Sequence, residues 1–159
     1  MNQSSYIILG VGASGLLLAY RMSLDSYFDD KSILIIDQVK DKGNDKTWCY
    51  WEEGEGEWDE LLTKKWPKVF FGSKDFTETL DISPYSYKMI RSEKFYNKLW
   101  RSIDLKPNIT FVEDSVKKYA ELDNRVKVVT NKSIYFGLKL LNSIPDKIAY
   151  EKQQKYPVL

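Results

Sequence analysis

An apolar run, Tyr6, Ile7, Ile8 and Leu9, leads directly into Gly10, Val11, Gly12, Ala13, Ser14 and Gly15, and this opening limits the fold more than any other part of the chain. A strand that ends in GxGxxG and feeds a helix is the first half of a dinucleotide-binding βαβ unit. The helix, expected from roughly Ser14 to Leu24, presents its unpaired first-turn N–H groups and the positive end of its dipole to the turn, which is a site for a pyrophosphate. Gly10 permits the tight turn, Gly12 removes the side chain that would block the phosphates, and Gly15 lets the helix pack closely on the strand. Ala13 and Ser14 lie between them at the helix N-terminus and complete the candidate set.

Glycine-rich turns also arise for steric reasons alone, so the context decides. A second apolar run, Ile33 to Ile36, ends at Asp37, 22 positions beyond Gly15. A carboxylate there can accept hydrogen bonds from adenosine ribose hydroxyls and would repel a 2′-phosphate, which disfavours NADP. An ordinary βαβ unit that packs without a ligand has the same strand and helix, and Asp37 taken alone is equally a turn residue. Strand, glycines, helix and acid in this order favour the ligand.

With 159 residues, 43% of them hydrophobic, the chain can bury one sizeable core. Its 24 basic and 23 acidic residues leave a net charge of +1, so nucleic acid is not an expected partner. The absence of histidine removes Ser-His-Asp and Cys-His nucleophilic sites and His-based metal centres. A single cysteine, Cys49, allows neither an internal disulfide nor a multi-cysteine metal site, and a reducing cytoplasm is the expected compartment. No apolar stretch approaches the ~20 residues needed to cross a bilayer. The chemistry is therefore expected to belong to a bound cofactor.

Residues 40–46 read as a polar surface loop. Thr47, Trp48, Cys49, Tyr50, Trp51, Glu52 and Glu53 then place three aromatics in four positions. They either pack a long excursion onto the domain, the commoner use of buried Trp and Tyr, or line a binding surface. A helix-like segment is expected from Trp58 to about Lys65. Lys68 to Phe71, Phe76 to Leu80 and Tyr85 to Ile90 read as strands of a small antiparallel insertion. After Arg91, the spacing of Phe95, Leu99 and Ile103 predicts a second helix, which Pro107 and Asn108 end before a third parallel strand, Ile109 to Val112. Val116 to Tyr119, Arg125 to Thr130 and Ile134 to Ile144 read as a β-meander on the sheet face away from the helices, typical of FAD-binding versions of the fold. The fold class is thus α/β: a Rossmann-like FAD-binding domain with a parallel sheet, a β-meander at about 116–144 and an antiparallel insertion at about 44–90. No internal repeat or linker marks a second domain, so residues 1–159 form one domain that stops early, and Lys152 to Leu159 look like a connection toward a further one.

Four stretches resemble the flavoprotein lycopene cyclases of carotenoid synthesis. The opening Tyr6 to Leu16 is similar to theirs and to that of many flavin monooxygenases. Asn44-Asp45-Lys46-Thr47-Trp48-Cys49-Tyr50-Trp51-Glu52 is the specific one, resembling the Thr-Trp-Cys-aromatic-Trp-Glu signature of bacterial lycopene β-cyclases. Tyr87 to Ser92 with Phe95-Tyr96 resembles the entry to their second helix, and Leu141-Asn142-Ser143 the end of their meander. Relative to that family the domain is incomplete, Lys46 replaces a common arginine, and Asn142 lies near where related flavoproteins carry an acid.

The resemblance implies FAD at Gly10, Gly12, Ala13, Ser14 and Gly15, with Asp37 on the adenosine ribose and the Val116 backbone on adenine. It puts Arg91 near the cofactor, although an arginine at a helix start is equally a solvated residue. It implies a redox-neutral cyclisation of lycopene ends, with NAD(P)H as a candidate reductant of the flavin, lycopene or a related carotenoid as the partner of the intact enzyme, and peripheral contact with the inner face of the membrane. This segment by itself is expected to be inactive and, with an uncovered apolar face, to self-associate. The alternatives are another flavin-dependent oxidoreductase or monooxygenase domain, or a non-catalytic nucleotide-binding fragment.

Overall fold

The computed structural model describes residues 3–145, so the expectation for Lys152 to Leu159 lies outside the described residues. The elements run β1 (Ser4–Leu9), α1 (Ala13–Leu24), β2 (Ile33–Asp37), β3 (Thr47–Glu53), β4 (Leu62–Trp66), β5 (Lys68–Gly72), β6 (Thr77–Asp81), β7 (Tyr85–Arg91), α2 (Ser92–Ile103), β8 (Ile109–Glu113), β9 (Val116–Leu122), β10 (Arg125–Thr130) and β11 (Ile134–Asn142). The chain divides into two compact units, residues 1–40 with 99–159, and residues 41–98.

The first unit is built on one six-stranded sheet in the order β8-β2-β1-β11-β10-β9. β8, β2, β1 and β11 are parallel, while β10 and β9 continue antiparallel from β11. The near-continuous apolar runs of β1 and β2 suit strands covered on both faces. Ile7, Ile8, Leu9, Ile35 and Ile36 are all fully buried. Alternation divides them. Ile8 faces α1, lining a cavity with Gly15 and Leu18, whereas Ile7, Leu9, Leu34 and Ile36 form a cluster with Val128 of β10. Each such side chain contributes on the order of 1.5–3 kcal/mol on burial.

The expected meander is present, but hydrogen bonding does not make it a sheet of its own. It extends the parallel sheet through β11, which pairs with β1 from Ser4↔Gly137 to Leu9↔Asn142. It still covers the face opposite α1, for a geometric reason. β8 and β9 are the two outermost strands, yet only Asp114 and Ser115 join them. Five inter-strand gaps would put those edges about 24 Å apart in a flat sheet, and a two-residue link spans at most about 11 Å. The sheet must therefore fold over, bringing Val116 and Tyr135 against the Ile7 cluster.

The link is held by Asp114, only 4% exposed. Its carboxylate accepts from Ser115 N (2.8 Å), Thr130 Oγ1 (2.5 Å) and Lys132 N (3.2 Å). Burial pushes the carboxyl up, and these donors pull it further down, leaving it below the ordinary carboxylate range.

The second unit contains the three-stranded sheet β3-β7-β4, the hairpin β5-β6 and the first part of α2. The segment expected to be helix-like up to Lys65 is instead a short 3-10 turn, Asp59–Leu61, followed by β4. Apolar residues at 58, 61, 62 and 66 do fit a helical period, but pairing of β4 with Tyr87 to Ile90 of β7 outweighs that local preference. On β7 the residues alternate: Ser86, Lys88 and Ile90 are buried, while Tyr85 and Arg91 are exposed.

Lys88 is a fully buried lysine. Its Nζ donates to Asp59 Oδ1 (2.6 Å), Glu52 Oε2 (2.8 Å) and the Gly54 carbonyl (2.9 Å). Burial works against the charge, and the two carboxylates overcome it, holding Lys88 above the ordinary lysine range. The same ammonium holds Asp59 below the usual carboxylate range. At the far end of the unit, Phe70, Phe71, Phe76 and Leu80 of the hairpin are exposed.

Two outcomes follow from this packing. A Cβ on Gly137 would lie 2.7 Å from Ile7 Cγ1, so Gly137→Val should cost about 1–3 kcal/mol by overpacking, read from urea unfolding. Because Asp59 is depressed, its contribution is fully present above about pH 4 and is lost as pH falls through its folded value. Asp59→Asn should therefore lower stability at pH 7 and flatten the loss below pH 4 in the same measurement.

Candidate functional site

The end of β1 and the start of α1 meet across the glycine turn. Gly10 has φ +90°, a left-handed conformation that favours glycine. A Cβ on Gly15 would fall on the Gly10 carbonyl oxygen, so helix and strand approach each other only because that position has no side chain. At Gly12 the space is open, with nothing within 4 Å of a Cβ. Gly12 caps α1 without any side-chain hydrogen bond, and the first four N–H groups of an α-helix lack intrahelical acceptors. Gly12 and Ser14 are exposed, and Ala13 is half-buried between them. The result is a small open cradle of backbone donors at the positive end of a twelve-residue helix.

Two side chains hold the cradle. Asp37, at the end of β2, accepts from Val11 N at 2.6 Å, while Gly10 N donates to the Ile36 carbonyl at 2.9 Å. The acid selected from sequence thus lies beside the glycines and steadies their turn. The second is Ser143, just past β11. Its N–H donates to the Leu9 carbonyl at 2.8 Å, and its hydroxyl lies 2.8 Å from the Leu9 carbonyl oxygen and 3.1 Å from that of Gly10. A Cβ on Gly10 would meet Ser143 Oγ at 2.7 Å, so this serine occupies the space the glycine leaves. Sequence reasoning gave Ser143 no role in the turn, because it is 133 positions from Gly10 and only the β1–β11 pairing brings it there.

Val116 begins β9 and lines a cavity of about 330 Å³ with Leu9, Tyr119, Asn142 and Ile144. The fold brings Leu9, Gly10, Asp37 and Val116 into the first unit, together with the helix start.

Arg91 belongs to the second unit and is described there by itself. It ends β7, opposite Thr47, and its Nε and Nη2 face the Asn44 side-chain amide, to whose oxygen they donate when that amide is turned oxygen-first toward them. The tryptophan-rich stretch has two faces. Trp48 points to the packed side, edge-on to Phe95 (5.5 Å) and Tyr96 (5.7 Å) of α2. Trp51 is 55% exposed and starts a cross-strand row, with Tyr87 opposite it at 4.9 Å and Trp66 beyond at 5.9 Å. The Lys46 N–H donates to Ser92 Oγ, the Lys46 carbonyl accepts from Ser92 N, and the Glu52 carboxylate pairs with Lys88. Tyr50 adds a buried hydroxyl without a hydrogen-bond partner.

Among the described residues, no helix is long and apolar enough to cross a membrane.

Solved structures share this fold. The chain has a TM-score of 0.64 to FqzB (15% identity, 95% of this chain, 39% of that one). It has 0.61 to the halogenase PltM in complex with phloroglucinol and FAD (11% identity, 95% and 36%). It has 0.67 to the p-nitrophenol 4-monooxygenase PnpA from Pseudomonas putida DLL-E4 (12% identity, 92% and 42%). At these identities the likeness shows the fold alone, the Rossmann-like fold of FAD-binding flavoproteins, and the chain spans well under half the length of each of the three. No curated protein sequence matches the chain. The family profile described as lycopene cyclase protein matches residues 6–135, most of the chain and all three elements around the glycine turn, and this chain belongs to the lycopene cyclase family.

Proposed function

We propose that the chain is the FAD-binding part of a lycopene β-cyclase-like protein. The observation that carries the flavin assignment is the cradle itself: open space at Gly12, first-turn donors of α1 uncapped by any side chain, and Asp37 beside them. In this reading the N–H groups near Gly12, Ala13, Ser14 and Gly15 hold the pyrophosphate. Asp37 takes the ribose hydroxyls, which a carboxylate at the end of the second strand can accept. The Val116 backbone meets the adenine.

Family membership supports the substrate class, a linear apolar polyene whose ends are closed into rings. That reaction adds a proton at one carbon of the terminal unit and removes another after ring closure, so no electrons are transferred overall. When bound, reduced flavin would supply negative charge near the cation that develops on the polyene. The chain's own part is to bind and orient the cofactor and to offer apolar surface that excludes water. The Trp51–Tyr87–Trp66 row, exposed at Trp51 and half-buried beyond it, suits a flat conjugated ligand of this kind. Drawing such a substrate from a bilayer requires peripheral membrane contact.

Titration of the purified chain with FAD, followed by flavin fluorescence and visible absorption, should show saturable binding. Gly12→Asp puts a carboxylate in the phosphate position and should weaken binding ~100-fold or more. Asp37→Asn should weaken it ~10-fold. Expressed at full length in lycopene-accumulating cells, the protein should yield cyclised carotenes. Substrate-dependent NAD(P)H consumption without cyclisation would favour a flavin oxidoreductase instead.

A further inference from the structure

We propose that Asp114 is a positioning residue for the nucleotide half of the bound cofactor, setting Asp37 and Val116 from a distance. The ligand named here rests on the flavin reading above; the mechanical role rests on the geometry alone.

One buried acid ties two segments together through its carboxylate and a third through its backbone. It receives the N–H of Ser115, the hydroxyl of Thr130 and the N–H of Lys132, so it clasps the β8–β9 link to the β10–β11 turn. Its own N–H donates to the Asp37 carbonyl at 2.8 Å, and Asp37 in turn carries the Val11 N–H. Two residues beyond Asp114 is Val116, on the cavity wall shared with Leu9. The position of Asp37 relative to Val116 is thus defined through Asp114. All three groups facing the carboxylate are donors. An ionised acid can satisfy them together, whereas an amide would turn its NH₂ toward at least one donor and leave a buried clash. Lys132 reinforces the clasp, its Nζ donating to the Glu113 carbonyl at 3.0 Å.

The test compares Asp114→Asn and Thr130→Val with the wild-type chain by amide hydrogen exchange and by affinity for FAD and for ADP. ADP uses only the nucleotide half. Asp114→Asn should speed exchange at Ser115 and Lys132, and at Val11 ~10-fold more than at Ile8 in the core of β1. Affinities for FAD and ADP should fall by the same ~10-fold. Thr130→Val keeps the carboxylate and its two backbone donors but also removes the hydroxyl's bonds to Ser133 N (3.0 Å) and Ser133 O (2.8 Å), so faster exchange within the β10–β11 turn follows in any case. The deciding readout, if Asp114→Asn does not fold, is a ~3-fold excess of Val11 over Ile8 exchange with a matching loss of FAD and ADP affinity. Val11 and Ile8 changing by equal factors, or unchanged ADP affinity in a folded variant, would overturn the proposal. A wild-type chain that binds neither FAD nor ADP would remove the cofactor assignment, and with it the ligand half of the proposal. Val11 exchange would still decide whether Asp114 governs the glycine turn.

Discussion

Two residues joining the outermost strands of a six-stranded sheet impose the shape of the first unit. No extended arrangement satisfies that link, so β9 and β10 fold back over the face that α1 leaves uncovered, and the Ile7 cluster closes around Val128. The cost is a buried link full of backbone donors, and a carboxylate meets it. An acid placed there without three donors would be strongly destabilising; with them, it is a specific fastener. The core and the fastened link are therefore products of one closure.

The cradle shows a second economy of geometry. Close approach of helix and strand at Gly15, the left-handed turn at Gly10 and the open space at Gly12 are three different uses of a missing side chain within six residues. Ser143 completes them from the far end of the chain. The first-turn donors of α1 have no side-chain cap of the kind a serine or aspartate at the N-cap supplies.

The second unit solves a different problem. Its sheet has one packed face, and the charge of a fully buried lysine is neutralised there by Glu52 and Asp59. The residues that most clearly mark the family, Asn44 to Glu52, serve mainly to fix β3 on β7 and to anchor the start of α2. Only the outward-facing alternate positions, Trp51 among them, remain available to a ligand. A family signature here is largely a record of packing.

Residues 6–37 were legible because every signal in them is local: buried strands read as apolar runs, and glycine sterics act over a few bonds. The same locality made the meander and α2 readable and led to the assignment of residues 58–65 as helix-like, where apolar spacing matched a helix and strand pairing with β7 prevailed. Nothing in the spacing of Asp114, Thr130 and Lys132, or of Ser143 and Gly10, announces their contacts. By itself, the sequence determined the βαβ opening, the acid after the second strand and the membership of the family. Tertiary structure alone decided that the meander joins the parallel sheet, which face each tryptophan takes, and which distant polar groups hold the turn. Those contacts depend on strand order and register, which arise from long-range closure of the chain and leave no periodic trace in it.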